Sequence, residues 1–176
     1  MSLSKGVDAC LDNKLIGPAL ILIYSAIDTA GWLDSNDQFA TRNSFVGWTN
    51  RYLLSTNALS CAAVDLYAAR CGLLHTFTPN SKLSSDKSSR RICYAWGKSR
   101  AEDLQRTIDL AKTGNDYVVV KVEKLFAAWR DGVLAFTEEL DADTPRSVAV
   151  MAKAKNFFSE LGTDSVTELL AAVDQL

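Results

Sequence analysis

The stretch Leu15-Ile16-Gly17-Pro18-Ala19-Leu20-Ile21-Leu22-Ile23-Tyr24-Ser25-Ala26-Ile27-Asp28 decides the architecture of this 176-residue chain. Gly17-Pro18 interrupts what comes before, and a proline suits the first turn of a new helix, so a helix is predicted from Pro18 to about Gly31. Leu20, Ile21, Leu22, Ile23 and Ile27 leave no polar face, which marks a helix at the centre of a bundle. The apolar run from Leu15 to Ile27 spans 13 residues, whereas a membrane span needs roughly 20. The reading is a core helix rather than an anchor, and no membrane partner is expected. Asp28 breaks the apolar pattern near the end of that helix.

Working outward, residues 3–12 form a short helix with Leu3, Val7, Cys10 and Leu11 on one side. Asp34-Ser35-Asn36-Asp37 is a polar turn. A helix over 41–54 carries Phe45, Trp48 and Tyr52 at i, i+3, i+7, an aromatic stripe of the kind that faces a core. A fourth helix runs from Asn57, as N-cap, to Leu74. Its stripe is Leu59, Ala63, Leu66, position 70 and Leu73, and position 70 is an arginine. After a serine-rich loop, Arg91 to Trp96 alternates as a short strand. Ser99-x-x-Glu102 forms a capping box for a helix to about Thr113, and Tyr117 to Val122 is β-branched and strand-like. How the two strands pair is open. Leu125, Trp129, Val133, Phe136 and Leu140 restore helical spacing over 123–140. Thr144-Pro145 starts a helix to about Leu161, and Ser165-x-x-Glu168 caps a last one with Val166, Leu169, Leu170 and Val173. The sum is a mainly α single domain over 1–176 with at most two short β-strands.

Hydrophobic and charged contents of 48% and 23% are those of a soluble protein. A net charge of −2 excludes wholesale coating of nucleic acid while leaving room for a local basic site. Cys10, Cys61, Cys71 and Cys93 are scattered with no Cys-x-x-Cys pair, which reads as reduced, buried thiols in a cytoplasmic protein, with neither a disulfide framework nor a zinc site. The first residues lack the order of a signal peptide.

Two charges therefore interrupt apolar helices, Asp28 and Arg70. A lone buried charge costs several kcal/mol unless paired, so either the two face each other as an ion pair or Arg70 faces a partly wet cleft. Five residues beyond Arg70 stands His75, the only histidine of the chain. On an ideal helix it lies about 140° around from Arg70. The two meet only if the helix unwinds near Gly72 or the long arginine reaches across.

Arg70-x4-His75 at the end of a bundle helix, with Asp28 on a preceding central helix, resembles the HEPN superfamily (higher eukaryotes and prokaryotes nucleotide-binding domain). The resemblance covers residues 16–76. It implies a helical bundle, a homodimer, and a metal-independent endoribonuclease of the kind found in toxin–antitoxin, phage-defence or RNA-processing systems, with an antitoxin protein as partner. It gives His75 acid/base work, Arg70 the phosphate and Asp28 the orienting of Arg70, with no metal and no cofactor. Two copies with their fourth helices side by side would bring two such pairs into one groove. Where the family often has a polar residue after its arginine, this chain has Cys71, and Gly72-Leu73-Leu74 is apolar.

The chemistry agrees with these residue types. A histidine can take the 2′-hydroxyl proton or protonate the leaving oxygen near neutral pH, and a fixed guanidinium stabilises a phosphoryl transition state. Residues 82–106 hold seven basic side chains against three acids, so Lys82, Arg90 and Arg91 are candidates for binding an RNA backbone. Tyr67, one turn before Arg70, is a candidate for lining the same site. Tyr94 and Trp96 could stack bases but in an alternating strand read as core. Gly-rich phosphate loops and Gly-x-Ser-x-Gly are absent, and Cys71 four residues before His75 has no third orienting group in view. The competing class is a non-catalytic helical module binding RNA, nucleotide or protein, in which Arg70 is a structural ion-pair residue.

Overall fold

The apolar stretch becomes α2 (Ile16–Asp34), and the other helices cover it. The computed structural model describes residues 3–55, 59–76, 78, 81–111 and 115–155. Within these, α1 (Leu3–Asp12) precedes α2, and α3 (Arg42–Trp48) runs straight into a π-helical segment (Thr49–Leu53). Then come α4 (Ala63–Thr76), the single turn α5 (Lys82–Ser85), β1 (Arg91–Ala95), α6 (Ala101–Leu110), β2 (Tyr117–Lys121), α7 (Val122–Ala142) and α8 (Thr144–Ala154). The fold is mainly α with two short strands, as the periodicities imply.

α2 packs against α1, α3, α4, α7 and α8. Ala19, Leu20, Ile23, Tyr24, Ala26, Ile27, Ala30 and Gly31 are buried. At 19 residues it is long and apolar enough to cross a membrane by composition, longer than the 13-residue run because helical geometry carries on past Asp28. The aromatic stripe closes the core as its spacing requires. Phe45, Trp48 and Tyr52 are all buried, and Phe136 of α7 meets Trp48 and Tyr52 edge-on at 6.5 and 5.4 Å between centroids.

The strands pair in parallel, Arg91 opposite Tyr117 and Ala95 opposite Lys121, with α6 as the crossover between them. Val118, Val119 and Val120 are all buried, the continuous apolar run that parallel strands carry when both faces are covered. The side-chain Oε1 of Gln105 accepts the Val119 N–H at 2.8 Å and so satisfies a strand donor from α6. Tyr94 of β1 reaches Tyr24 of α2, their hydroxyl oxygens 2.5 Å apart, which ties the sheet to the central helix. Burial raises the pKa of both phenols and keeps them protonated. Trp96, by contrast, is exposed rather than core, because the strand ends at Ala95.

Several predicted boundaries move, each for a local reason. The helix expected over 41–54 is capped by the Thr41 side chain, which accepts from Ser44 N–H, but widens to π geometry after Trp48. The fourth helix starts at Ala63 rather than Asn57, because the Asp65 carboxylate takes the Ala62 N–H at 3.0 Å and fixes the first turn there. The Ser99/Glu102 capping box does not form. Arg100 occupies the N-cap without a side-chain bond, and the Ser99 N–H goes to the Trp96 carbonyl at 3.1 Å. α6 ends at Leu110. α8 is capped by Asp143, whose Oδ1 accepts the Arg146 N–H at 3.1 Å. Asn57, Thr113 and the last helix beginning near Ser165 lie outside the described residues. Of the four cysteines only Cys61 is buried, the others being half-buried.

Helices α2 and α3 touch at Gly31, where an added Cβ would stand 2.6 Å from the carbonyl oxygen of Ser44 and 2.9 Å from its carbon. Backbone cannot swing aside as a flexible side chain can. Gly31→Ala is therefore expected to lose about 1–3 kcal/mol in urea denaturation. Gly47→Ala on α3, with nothing within 4 Å of the new methyl, is expected to gain about 0.5–1 kcal/mol from helix propensity. Equal effects at the two positions would contradict this packing.

Candidate active site at the end of α4

Asp28 and Arg70 meet across α2 and α4. Arg70 Nε donates to Asp28 Oδ2 at 2.5 Å, with the two side chains 21% and 13% exposed. The pairing read from two interrupted helices is thus present, and it lies at the edge of the core. Burial raises the Asp28 carboxyl pKa, while the Arg70 bond and charge, and then His75, pull it back down. Burial also opposes the charge on Arg70, but the bond to Asp28 and its charge outweigh that and raise the guanidinium.

His75 joins the pair. Arg70 Nη1 and His75 Nε2 are 3.1 Å apart. α4 stays helical through Gly72 to Thr76, so the 140° offset is closed by the length of the arginine and not by unwinding. The Thr76 hydroxyl and the Thr78 N–H both go to the Gly72 carbonyl, at 2.9 and 3.2 Å, which secures the helix end beside the histidine. A guanidinium has only donors. In this contact Nε2 is therefore the acceptor and Nη1 the donor. One chain assembles all three groups.

Tyr67 sits close by. Its ring meets Phe45 edge-on at 5.4 Å and lies under the Arg42 guanidinium at 5.9 Å. Burial raises its hydroxyl pKa, with Cys71 adding to the rise as a neighbour and hydrogen-bond partner and Arg70 opposing it.

The basic segment is divided. Lys82 stands exposed on α5. Arg91 lies with its guanidinium 5.6 Å over the Tyr117 ring and donates to the Tyr117 hydroxyl at 3.3 Å. Arg90 is committed to structure. Its Nη2 and Nε donate to Asp65 Oδ2 at 2.8 and 3.1 Å, its backbone N–H to Asp65 Oδ1 at 2.8 Å, and Nη2 also to the Ser60 carbonyl at 3.0 Å. Asp65, 2% exposed, is the polar residue that sequence reasoning missed. A signal was present: it is a carboxylate in the first turn of an apolar helix, needing a partner as Asp28 does. Asp65, Arg90 and Arg91 line a cleft of about 470 Å³ with Lys87 and Ser84.

Asp28 lines another cleft, of about 460 Å³, with Thr29, Trp32, Gln38, Phe39 and Ala40. Among the described residues no three His, Cys, Asp or Glu side chains come together as a metal-binding group. Compared with known proteins, the chain matches no protein-family model, no curated protein and no solved structure.

Two outcomes follow from the Asp65 region. Asp65→Ala strands Arg90 and uncaps α4, and is expected to cost about 3 kcal/mol, the lower end of the range for breaking a buried pair because Arg90 keeps some solvent; urea denaturation checks it, and a loss below about 1 kcal/mol would contradict the role given to Asp65. Cys61, beside it, has its thiol pushed up to about 12, first by burial and then by the Asp65 charge. Folding thus favours the protonated thiol, an advantage complete below its unfolded pKa near 8.5 and lost as pH rises toward 12. With iodoacetamide at pH 8, Cys61 is expected to be the last of the four cysteines alkylated in the native chain.

Proposed function

We propose that this chain is a HEPN-like, metal-independent endoribonuclease whose working groups are Arg70, His75 and Asp28. The single observation that carries the reading is the continuous contact from Asp28 through Arg70 to His75, which puts a phosphate-binding cation and a titratable base on one helix end. RNA cleavage by this route has the 2′-oxygen attack the adjacent phosphorus while the 5′-oxygen leaves, giving a 2′,3′-cyclic phosphate and a 5′-hydroxyl. Asp28 holds Nε of Arg70 and so aims the two terminal nitrogens outward, where a guanidinium binds phosphate oxygens in bidentate fashion. At rest the Nε2 lone pair of His75 is occupied by Arg70. A phosphate that takes Nη1 releases that lone pair to accept the 2′-hydroxyl proton, while water protonates the departing 5′-oxygen, so substrate binding and base release are one event.

The cytoplasm, a homodimer, and an antitoxin protein in a toxin–antitoxin or phage-defence setting belong to the same proposal. A homodimer would double the site; the histidine and arginine meet without one. Lys82 and Arg91 are the basic residues this reading leaves for the RNA backbone, since Arg90 is spoken for by Asp65. A second reading rests on the Asp28–Arg70 bond itself: a non-catalytic module that binds RNA, nucleotide or protein, with Arg70 holding two helices together.

In EDTA, wild-type protein is expected to cleave single-stranded RNA to 2′,3′-cyclic phosphate ends. His75→Ala is expected to reduce the rate by about 10²–10⁴ and Arg70→Ala by about 10²–10³. No cleavage by clean wild-type protein, or equal cleavage by all three, defeats the enzyme reading. Arg70→Met separates the two readings: a folded, inactive protein supports catalysis, and loss of the fold supports the structural pair.

A further inference from the structure

The loop between α2 and α3 carries an exposed aromatic on a fixed frame. Phe39 is 71% exposed, yet the backbone around it is pinned from several directions. The Trp32 indole N–H donates to the Gln38 carbonyl at 3.0 Å. The Asp37 N–H donates to Ser35 Oγ at 3.2 Å, and the Thr41 hydroxyl to Asp37 Oδ2 at 2.8 Å. From α8, Lys153 Nζ gathers the carbonyls of Trp32, Ser35 and Asp37 at 2.8, 2.5 and 3.0 Å. A ring left in water at the tip of a braced loop has already lost the backbone entropy that binding would otherwise cost.

The cleft below Phe39 is built from Asp28, Thr29, Trp32, Gln38 and Ala40. Its volume of about 460 Å³ lies within the range of small-molecule sites, and it combines aromatic walls with a hydroxyl, an amide and a carboxylate. Asp28 is shared: Oδ2 takes Arg70 while the residue forms one side of the cleft. The carboxylate that holds the Arg70 guanidinium therefore also borders the cleft.

We propose that this cleft binds a nucleobase of single-stranded RNA, stacked on Phe39, with the adjoining phosphate at Arg70. The proposal rests on the ribonuclease reading for its ligand class and extends it with a specificity subsite. Stacking on an aromatic side chain tolerates any base, whereas the Thr29 hydroxyl, the Gln38 amide and Asp28 present donors and acceptors to a base edge. Phe39 binds and does not touch the reacting atoms.

The test uses the full chain and a hexaribonucleotide methylated at every 2′-oxygen, which cannot be cleaved by its own 2′-hydroxyl. Its Kd is compared between wild type, Phe39→Ala and Phe39→Trp, alongside an oligomer of the same length with abasic sugars. Wild type is expected to bind the hexamer, with Phe39→Ala about 5- to 150-fold weaker and Phe39→Trp close to wild type. The abasic oligomer is expected to bind wild type and Phe39→Ala equally weakly. Because Phe39 is exposed, the alanine variant keeps the fold, which circular dichroism checks. Equal binding of the hexamer by wild type and Phe39→Ala, tight binding of the abasic oligomer, or no binding of either by wild type overturns the pocket. Cleavage is scored separately with unmodified RNA: Phe39-dependent binding without cleavage keeps the pocket and defeats the nuclease reading, and cleavage without Phe39 dependence does the reverse.

Discussion

Helix α2 must be covered, and the chain is arranged to cover it. A helix apolar on every side has no stable position at a surface, so α1, α3, α4, α7 and α8 all pack against it. That constraint sets the position of nearly everything else. Gly31 lets α3 approach to backbone contact, Tyr24 anchors β1 through Tyr94, and Lys153 and Arg146 of α8 hold the end of α2 through its carbonyls and Asp34. Asp28 is the polar interruption in this cover. Its carboxylate is matched by Arg70, and the match places the guanidinium at the rim of the bundle with its outer nitrogens free to meet His75.

The two ion pairs on α4 show one physical rule with two outcomes. Asp65 lies in the first turn and is saturated: backbone and side-chain donors of Arg90, together with the Ala62 N–H, occupy both oxygens. Such a carboxylate is a structural clamp, and it joins the start of α4 to the residue before β1. Asp28 holds its arginine by one nitrogen alone, and burial keeps that carboxyl above its usual pKa despite the arginine. At Arg70 the bond and charge of Asp28 outweigh burial, so the pair keeps the guanidinium charged at the rim of the bundle.

Helical periodicity and Asp28–Arg70 were legible because each rests on local chemistry or on a cost any fold must meet. Phe45, Trp48 and Tyr52 face the core as their spacing demands, and a buried arginine had to find an acid. The capping box at Ser99 and Glu102 misled because the Ser99 N–H, which the Glu102 side chain would have to accept, goes to the Trp96 carbonyl. α4 begins later than its apolar pattern suggests, with residues 59–62 outside the helix and the Asp65 carboxylate taking the Ala62 N–H. Arg90 looked like a free cation for RNA because its partner stands 25 residues away, and the parallel pairing of β1 with β2 depended on α6 crossing between them.

A helical bundle built round one apolar helix, with Arg70 and His75 near one helix end and Asp28 in need of a cation, is legible from the order of residues. These follow from period, composition and the cost of burying charge. Only the tertiary structure decided that the arginine spans 140° of helix to touch the histidine within one chain, that Arg90 serves the fold, and that a braced Phe39 overlooks a cleft sharing Asp28. Those facts depend on side-chain length and on contacts between segments far apart in the chain, which no local pattern encodes.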